Sequence, residues 1–391
     1  MVLSSEWATA LLGELCTLTK GKSPTLKTVP GDYPLIVTGP EPLSSVDYQF
    51  DGEAVCIPMV SSTGHGHASL KRVHYANGKF AVANIVTACE VKNPAKSSTR
   101  FLHIYLQHYK DELIVPRMQG TANVSLSQRE LSQVPVRLPA LDEQLRIVNL
   151  IGAVDQAVEA SETRFTASNQ LLNEYLEGAD FSQRRPLGEL ASMRSGPSWK
   201  AANESSVPAP GGESVLGITN TPPGRELDLS NRKYVSGLPK STKRVTPTSI
   251  VMIRTNGNRA RIGNVYRPSP EIEGFAVSAF QIIIQPTDPA DSAIIYWALS
   301  RPSIQRMMSE SASGSTGLGN IAIGWLRQLS LPYPTGEERE IFLGTCEAML
   351  DAIKAADETS RSLRTVRSEL LSALLSGAHR IPETYDELMG A

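Results

Sequence analysis

The chain of 391 residues carries 38 Lys and Arg against 40 Asp and Glu, a net charge of −2, and is 41% hydrophobic with 29 Gly and 26 Pro. That length allows two or three domains with cores of their own, and the composition excludes an intrinsically disordered chain. No run of 18 apolar residues occurs, so no membrane-spanning helix is expected, and Glu6 and Glu14 interrupt the apolar stretch that a secretory leader needs.

Cys16, Cys56, Cys89 and Cys346 stand far apart without a CxxC pair. This spacing argues against a disulfide framework or a structural zinc site and makes a reducing cytoplasm the expected compartment. A net charge near zero speaks against nucleic acid only while charge is counted over the whole chain, because phosphate binding leaves a local basic footprint.

In chain order, Leu12-Gly13-Glu14-Leu15 recurs as Leu187-Gly188-Glu189-Leu190, and Gly21 has its counterpart in Gly196 at the same offset of 175. Val55-Cys56-Ile57 is echoed by Val251-Met252-Ile253, and Phe80-Ala81-Val82 by Phe275-Ala276-Val277. Gly120-Thr121-Ala122-Asn123 resembles Gly317-Leu318-Gly319-Asn320, and residues 131–136 resemble 326–331. Short β-branched runs between Gly, Pro and Ser turns predict strands at 54–57, 250–253 and 281–284, and helical pieces are expected at 101–113 and 292–308. An ordered repeat of this kind predicts one architecture built twice.

Beyond Pro139 and Pro334 each half changes character. Ile147, Ile151, Val154, Val158, Phe165, Leu172 and Tyr175 form an apolar seam with Ser161 and Ser168 as small polar exceptions, and Met349, Ile353, Ala356, Leu363, Leu370 and Leu374 form a second. A seam sustained over about four heptads predicts a coiled coil or long helical hairpin, with a helix over residues 141–178 spanning roughly 57 Å. The expected fold class is α+β. Two α/β domains, 1–138 and 181–333, are joined and separated by long helices at 139–180 and 334–380, with a tail at 381–391.

Counted along this plan, net charge is +2 for 1–138, −6 for 139–180, +7 for 181–333 and −5 for 334–391. Basic domains and acidic helices suit domains that face phosphate and helices that face solvent or a protein partner. The strongest cluster runs from Lys240 through Lys243, Arg244, Arg254, Arg259 and Arg261 to Arg267, with Asn256, Gly257 and Asn258 in the loop. Arg bridges guanine O6 and N7, Asn pairs with adenine, and an Asn-Gly hairpin turn flanked by Arg suits groove entry.

In the first domain the corresponding stretch offers Ser61, Ser62, Thr63, His65 and His67 as base-reading groups and Lys71 and Arg72 as phosphate contacts. Lys20-Gly21-Lys22-Ser23 lacks the spacing of a P-loop and is a basic glycine turn, as is Arg194-Ser195-Gly196, so that Lys20, Lys22 and Arg194 are further phosphate candidates.

Catalytic signatures are missing. No GxSxG elbow, HExxH or Walker motif occurs, nor a nuclease PD-(D/E)xK, and Asn93-Pro94-Ala95-Lys96 lacks the aromatic of an Asn-Pro-Pro-Tyr methyltransferase motif. His65, His67, His74, Cys56 and Cys89 lack zincin spacing, so neither a metal nor a cofactor is expected on this chain.

These residues together resemble the specificity subunit of a type I restriction-modification system. The likeness rests on Trp7 with Leu12-Gly-Glu-Leu-Cys-Thr-Leu-Thr-Lys-Gly21, on the second Leu-Gly-Glu-Leu, and on Val136-Arg-Leu-Pro-Ala-Leu-Asp-Glu-Gln144-Leu-Arg-Ile147, with a weaker copy at 331–341. It implies two target-recognition domains, each reading one half of an asymmetric double-stranded DNA site, and an antiparallel coiled coil that sets their separation. It also implies two modification subunits bringing S-adenosylmethionine chemistry to adenine, and two ATP- and Mg-dependent restriction subunits in the full complex. Leu141, Glu143, Gln144, Ile147, Ile353, Leu363 and Leu370 are the expected docking residues. A reading from a different class is a scaffold of a related methylation-based antiphage system that binds protein through its basic faces.

Overall fold

The repeated Leu-Gly-Glu-Leu folds into one helical turn in each half, at Leu12–Leu15 and Leu187–Leu190, and buries its first leucine. The Leu12 N–H donates to the Val134 carbonyl and the Leu187 N–H to that of Leu329, both at 2.9 Å. This computed structural model describes residues 7–25, 27–63, 66–267, 270–314 and 317–388. It divides into two compact units, one of residues 1–160 with 359–391 and the other of residues 161–358.

In the first unit, an antiparallel sheet takes the order Cys16–Lys20, Val86–Val91, Ala54–Pro58, His74–Ala76. A second sheet pairs Tyr33–Ile36 in parallel with Lys79–Val82, flanked by Leu43–Ser45 and Phe50–Asp51. Strand Ala8–Leu11 closes on Pro135–Leu138. Ala54–Pro58 buries both faces. Val55 and Ile57 pack with helix Thr99–His108 through Phe101, Leu102, Tyr105 and Leu106, while Ala54 and Cys56 face the opposite core with Phe80 and Val82. Two-sided burial is why this strand is uniformly apolar.

The second unit repeats the plan. Its first sheet takes the order Ala191–Ser195, Gln281–Pro286, Ile250–Ile253, Val265–Tyr266, and its second pairs Gly212–Leu216 in parallel with Ala276–Val277 and antiparallel with Lys233–Ser236. Arg184–Pro186 closes on Ser330–Pro332. Ile250 and Met252 face the larger core with Ile295 and Trp297, and Val251 and Ile253 the smaller one with Tyr266. The expected helix at 292–308 is two helices, Ser292–Leu299 and Pro302–Ser311, because Pro302 cannot continue the first. In the first unit the helical piece ends at His108 and continues as a π turn, Lys110–Ile114.

Pairing register corrects two of the repeat alignments. Ile57 lies opposite Thr87 and Met252 opposite Ile282, so Ile57 matches Met252 and the expected alignment with Ile253 slips by one residue. Ser125 bridges Gln119 where Asn320 bridges Ser313, so Asn320 matches Ser125 rather than Asn123.

The long helices are Leu141–Gly178 and Gly336–Leu375. Within the first unit, Ile147 and Ile151 pack in the core that holds Leu371, Leu374 and Leu375, and Arg367 pairs with Asp155. Within the second, Leu172 and Leu176 pack in the core that holds Phe342, Cys346 and Leu350, and the buried Ser161 hydroxyl donates to the Ala356 carbonyl at 2.8 Å. The pairing is antiparallel in both. Phe165, expected in the seam, is 37% exposed. No helix among the described residues is long and apolar enough to cross a membrane.

Candidate nucleic-acid interface

The loops expected to read bases leave the third strand of each first sheet through the same clamp. The Met59 N–H donates to the Ile85 carbonyl and the Met59 carbonyl accepts from the Leu126 N–H, both at 2.8 Å. In the second unit Arg254 donates to Phe280 at 2.8 Å and accepts from Ile321 at 3.1 Å. Met59 and Arg254 are thus equivalent positions, and from there the two units diverge.

In the first unit, the candidate hydroxyls hold the loop itself. Ser61 Oγ donates to the His67 carbonyl at 2.5 Å and accepts from the Ser69 N–H at 3.1 Å; Ser62 Oγ accepts from the Lys71 N–H at 3.1 Å; Thr63 Oγ1 meets Ser69 Oγ at 2.8 Å. These groups shape the loop, whereas the sequence reading assigned them to bases. Arg72 lends Nη1 to the Pro40 carbonyl at 3.1 Å. His67, Lys71, Lys20 and Lys22 are exposed and have no side-chain partner among the described residues, and His65 lies outside them. The Lys20-Gly21-Lys22 turn is built by packing: the Gly21 N–H donates to the Val86 carbonyl at 2.9 Å, and a Cβ on Gly21 would collide with the Val82 and Ala83 carbonyls. Its counterpart Gly196 donates to the Gln281 carbonyl at 3.3 Å and is closed in by Val277 and Ser278.

In the second unit the arginine cluster separates into internal and outward members. Arg244 is held by Glu213, its Nε at 2.9 Å from Oε2. Arg254 donates through Nε to the Ile321 carbonyl at 3.1 Å and through Nη1 to Ser195 Oγ at 2.8 Å. Arg261 donates to the Thr221 carbonyl, and Arg267 contacts both Glu347 oxygens at 2.7 and 2.8 Å. Lys240, Lys243 and Arg194 are exposed and unpaired among the described residues; exposed Arg259 has only a 3.5 Å contact with the Gly314 carbonyl. Lys200 and Arg306, not singled out in the sequence, are also exposed cations without an acidic partner among the described residues. Sequence spacing gave no signal for them, since each has a glutamate four residues on, Glu204 and Glu310.

The Asn-Gly pair is not a hairpin turn. Thr255–Asn256 pairs with Gly319–Asn320, Asn256 Oδ1 accepts from the Asn258 N–H at 2.9 Å, and Asn258 caps the single turn Arg259–Arg261. Gly257 lacks the positive φ that such a turn requires.

The expected docking residues divide as well. Gln144 is fully buried: Oε1 accepts from the Ser98 N–H at 2.9 Å and Nε2 donates to the Lys96 and Pro139 carbonyls at 3.0 and 2.9 Å. Glu143, Ile147 and Ile353 are buried too, so the structure turns these four inward to packing rather than outward to a partner. Leu141, Leu363 and Leu370 are half-buried. Arg146 grips Asp386, with Nε to Oδ1 at 2.9 Å and Nη2 to Oδ2 at 2.7 Å, holding the short helix Thr384–Leu388 to the start of the first long helix.

All four cysteines are free and buried, and burial pushes the thiols of Cys16, Cys56 and Cys346 up to about 12. They stay protonated and unreactive at neutral pH.

Residues 4–166 match the family model described as Type I restriction modification DNA specificity domain. A curated type I restriction enzyme specificity subunit of Haemophilus influenzae, S.HindORF215P, is 31% identical over 109 residues, which are 27% of this chain and span only 26% of that relative. Among solved structures, a type I restriction-modification S subunit from M. genitalium superposes with a TM-score of 0.60 at 17% identity, covering 96% of this chain and 98% of that one. A chain from a structure on complex assembly and conformational transition of the type I R-M system gives 0.58 at 16% identity, covering 96% and 99%. Residues 4–166 are thus similar to the type I restriction-modification DNA specificity domain, and the fold of the chain as a whole is similar to that of the solved S subunit.

Proposed function

We propose that this chain is the non-catalytic DNA-specificity subunit of a type I restriction-modification complex, each unit reading one half of a bipartite, asymmetric site. The observation that carries the reading is the doubled fold with rewritten loops. The strand order of the first sheet and the clamp are the same in both units, while hydroxyl and histidine groups around Met59 give way to Arg and Asn around Arg254. Frame retention with loop divergence is what two half-sites of different sequence demand.

In this reading, residues 1–138 and 181–333 are the target-recognition domains, 139–180 and 334–380 the spacer helices, and 381–391 a tail. Lys20, Lys22, Lys71, Arg194, Lys240 and Lys243 meet phosphates, and Arg259, Asn256, Asn258 and His67 stand nearest to base edges. Two modification subunits, carrying S-adenosylmethionine, dock on the acidic long helices. Because Glu143, Gln144, Ile147 and Ile353 are buried, docking falls to outward apolar residues such as Leu145, Leu171, Ile341 and Val366. Two restriction subunits, using ATP and Mg, complete a cytoplasmic assembly.

The test is the methylation pattern of DNA in cells expressing the chain with its modification partner. A two-part modified-adenine motif is expected. Inserting about four residues into each long helix, roughly 6 Å of rise, lengthens the unspecified spacer between the parts; an unchanged spacer overturns the ruler role.

A further inference from the structure

We propose that the second unit holds a slot for one unstacked nucleobase of bound DNA, framed by Trp199 and Phe280. This rests on the reading above and adds a ligand subsite to it. The slot is a cavity of about 530 Å³ lined by Pro197, Trp199, Gly217, Ile218 and Phe280, within the size range of small-ligand sites. Phe280 is 44% exposed although aromatic and sits beside the candidate reading loop, its carbonyl accepting from the Arg254 and Thr255 N–H groups at 2.8 and 3.1 Å.

The repeat supplies an internal comparison, because the corresponding segment of the first unit is tied down by hydrogen bonds. There, Ser23 bridges Ala83: the Ser23 N–H donates to the Val82 carbonyl at 3.1 Å and the Asn84 N–H to the Ser23 carbonyl at 2.9 Å. The preceding Lys22 N–H donates to Gln49 Oε1 at 3.0 Å. At the offset set by Gly21 and Gly196, Lys22 becomes Pro197, which has no N–H to give, and Ser198 makes no such bridge among the described residues. Val37, buried in the first unit, becomes Gly217, as the bonds from Ala83 to Ile36 and from Ser278 to Leu216 align them. Pro197 and Gly217, the positions where a donor and a side chain are lost, both line the cavity.

Its chemistry suits a base. Trp199 is fixed from behind: its Nε1 donates to Glu204 Oε2 at 3.0 Å, and Lys233 pairs with the other oxygen of Glu204. That carboxylate is thereby neutralised, so the wall repels no DNA. Exposed Lys200 adds a cation next to the indole. Aromatic faces with cations on the rim form the pattern that stacks single-stranded bases irrespective of sequence.

The experiment titrates the intact chain with oligothymidylate of about eight nucleotides while following tryptophan fluorescence, with Trp199→Phe as the blank. Expected are a saturable quench absent from the Trp199→Phe protein, no quench by an abasic oligonucleotide of equal length, and an affinity lower by roughly 5- to 150-fold for Phe280→Ala. Equal affinity of Phe280→Ala and wild type, or equal quench by the abasic strand, overturns the slot. An absent quench in a chain that still directs methylation to a two-part motif overturns the slot alone, whereas absence of any motif overturns the DNA-specificity reading with it. If Phe280→Ala loses the modification subunit but keeps the quench unchanged, the occupant is a protein side chain and the proposal fails.

Discussion

Arg254 and Arg259 stand in one loop and are held differently. Arg254→Ala leaves the Ile321 carbonyl and the Ser195 hydroxyl without their donors. It is expected to lower thermal stability, by about 1–3 kcal/mol in a denaturant series. Arg259→Ala is expected to leave the melting curve in place and to relax one half-site by about 1–3 kcal/mol in competition binding; unchanged discrimination with full folding removes Arg259 from the reading set.

His74 carries a pH signature. Burial first, then the nearby Arg72 and His103, lower its pKa to about 4, and its Nε2 is buried without a partner among the described residues. The unfolded chain, with His near 6.5, binds the proton that the folded chain refuses, so stability is full above pH 6.5 and falls as pH drops toward 4. Melting temperatures measured across that window are expected to fall less steeply for His74→Gln; a parallel fall assigns the acid sensitivity to other groups, His103 among them. At Gly196, a Cβ would collide with the Val277 backbone carbonyl. Gly196→Ala is expected to cost about 3 kcal/mol, as overpacking against backbone that cannot yield.

Among elements, the start of the first long helix shows what sequence can and cannot reveal. Residues 141–178 were legible as a helix to the residue, because Pro139 and Gly178 punctuate a continuous seam. The repeat was legible through Leu-Gly-Glu-Leu and the two glycines, whose contacts tolerate nothing larger. The slip at Ile57 and Met252 has a physical cause: strands buried on both faces lose the two-residue alternation that would fix their register. The failed Asn-Gly hairpin and the inward Gln144 share another, since both depend on partners far away in sequence, Gly319–Asn320 for one and Ser98 for the other.

Which loop residues are spent internally could not be read from residue type, because a serine that shapes a loop and a serine that reads a base are the same residue. Gln144→Ala separates packing from docking. Loss of its three hydrogen bonds is expected to destabilise the first unit by about 2–3 kcal/mol without a separate effect on partner affinity once the protein is folded. A pull-down defect in a protein of unchanged melting temperature restores the docking role.

Over the whole molecule, the near-neutral total conceals basic domains and acidic helices, and the basic surplus is uneven, +7 against +2. The second domain is therefore expected to dominate the salt dependence of DNA binding. Replacing both Lys240 and Lys243 by Ala should reduce the slope of log affinity against log salt by about 2, or roughly 0.9 per phosphate lost, and weaken binding to all sequences alike. A slope unaltered by the pair, but reduced by Lys20→Ala with Lys22→Ala, reverses the assignment.

The grip of Arg146 on Asp386, and the burial of Leu371, Leu374 and Leu375 beside Ile147, mean that the first unit is finished by the last part of the chain. The order of maturation during synthesis is therefore inverted. The second unit, built wholly from residues 161–358, has all its parts before the first does. Until the C-terminal segment emerges, Ile147 and Ile151 wait without their cover, the kind of uncovered apolar surface that chaperones and proteases act on. A chain stopped after residue 358 is therefore expected to keep a folded second unit while its first unit is cut by protease at low concentration, which limited proteolysis of the truncated protein would show.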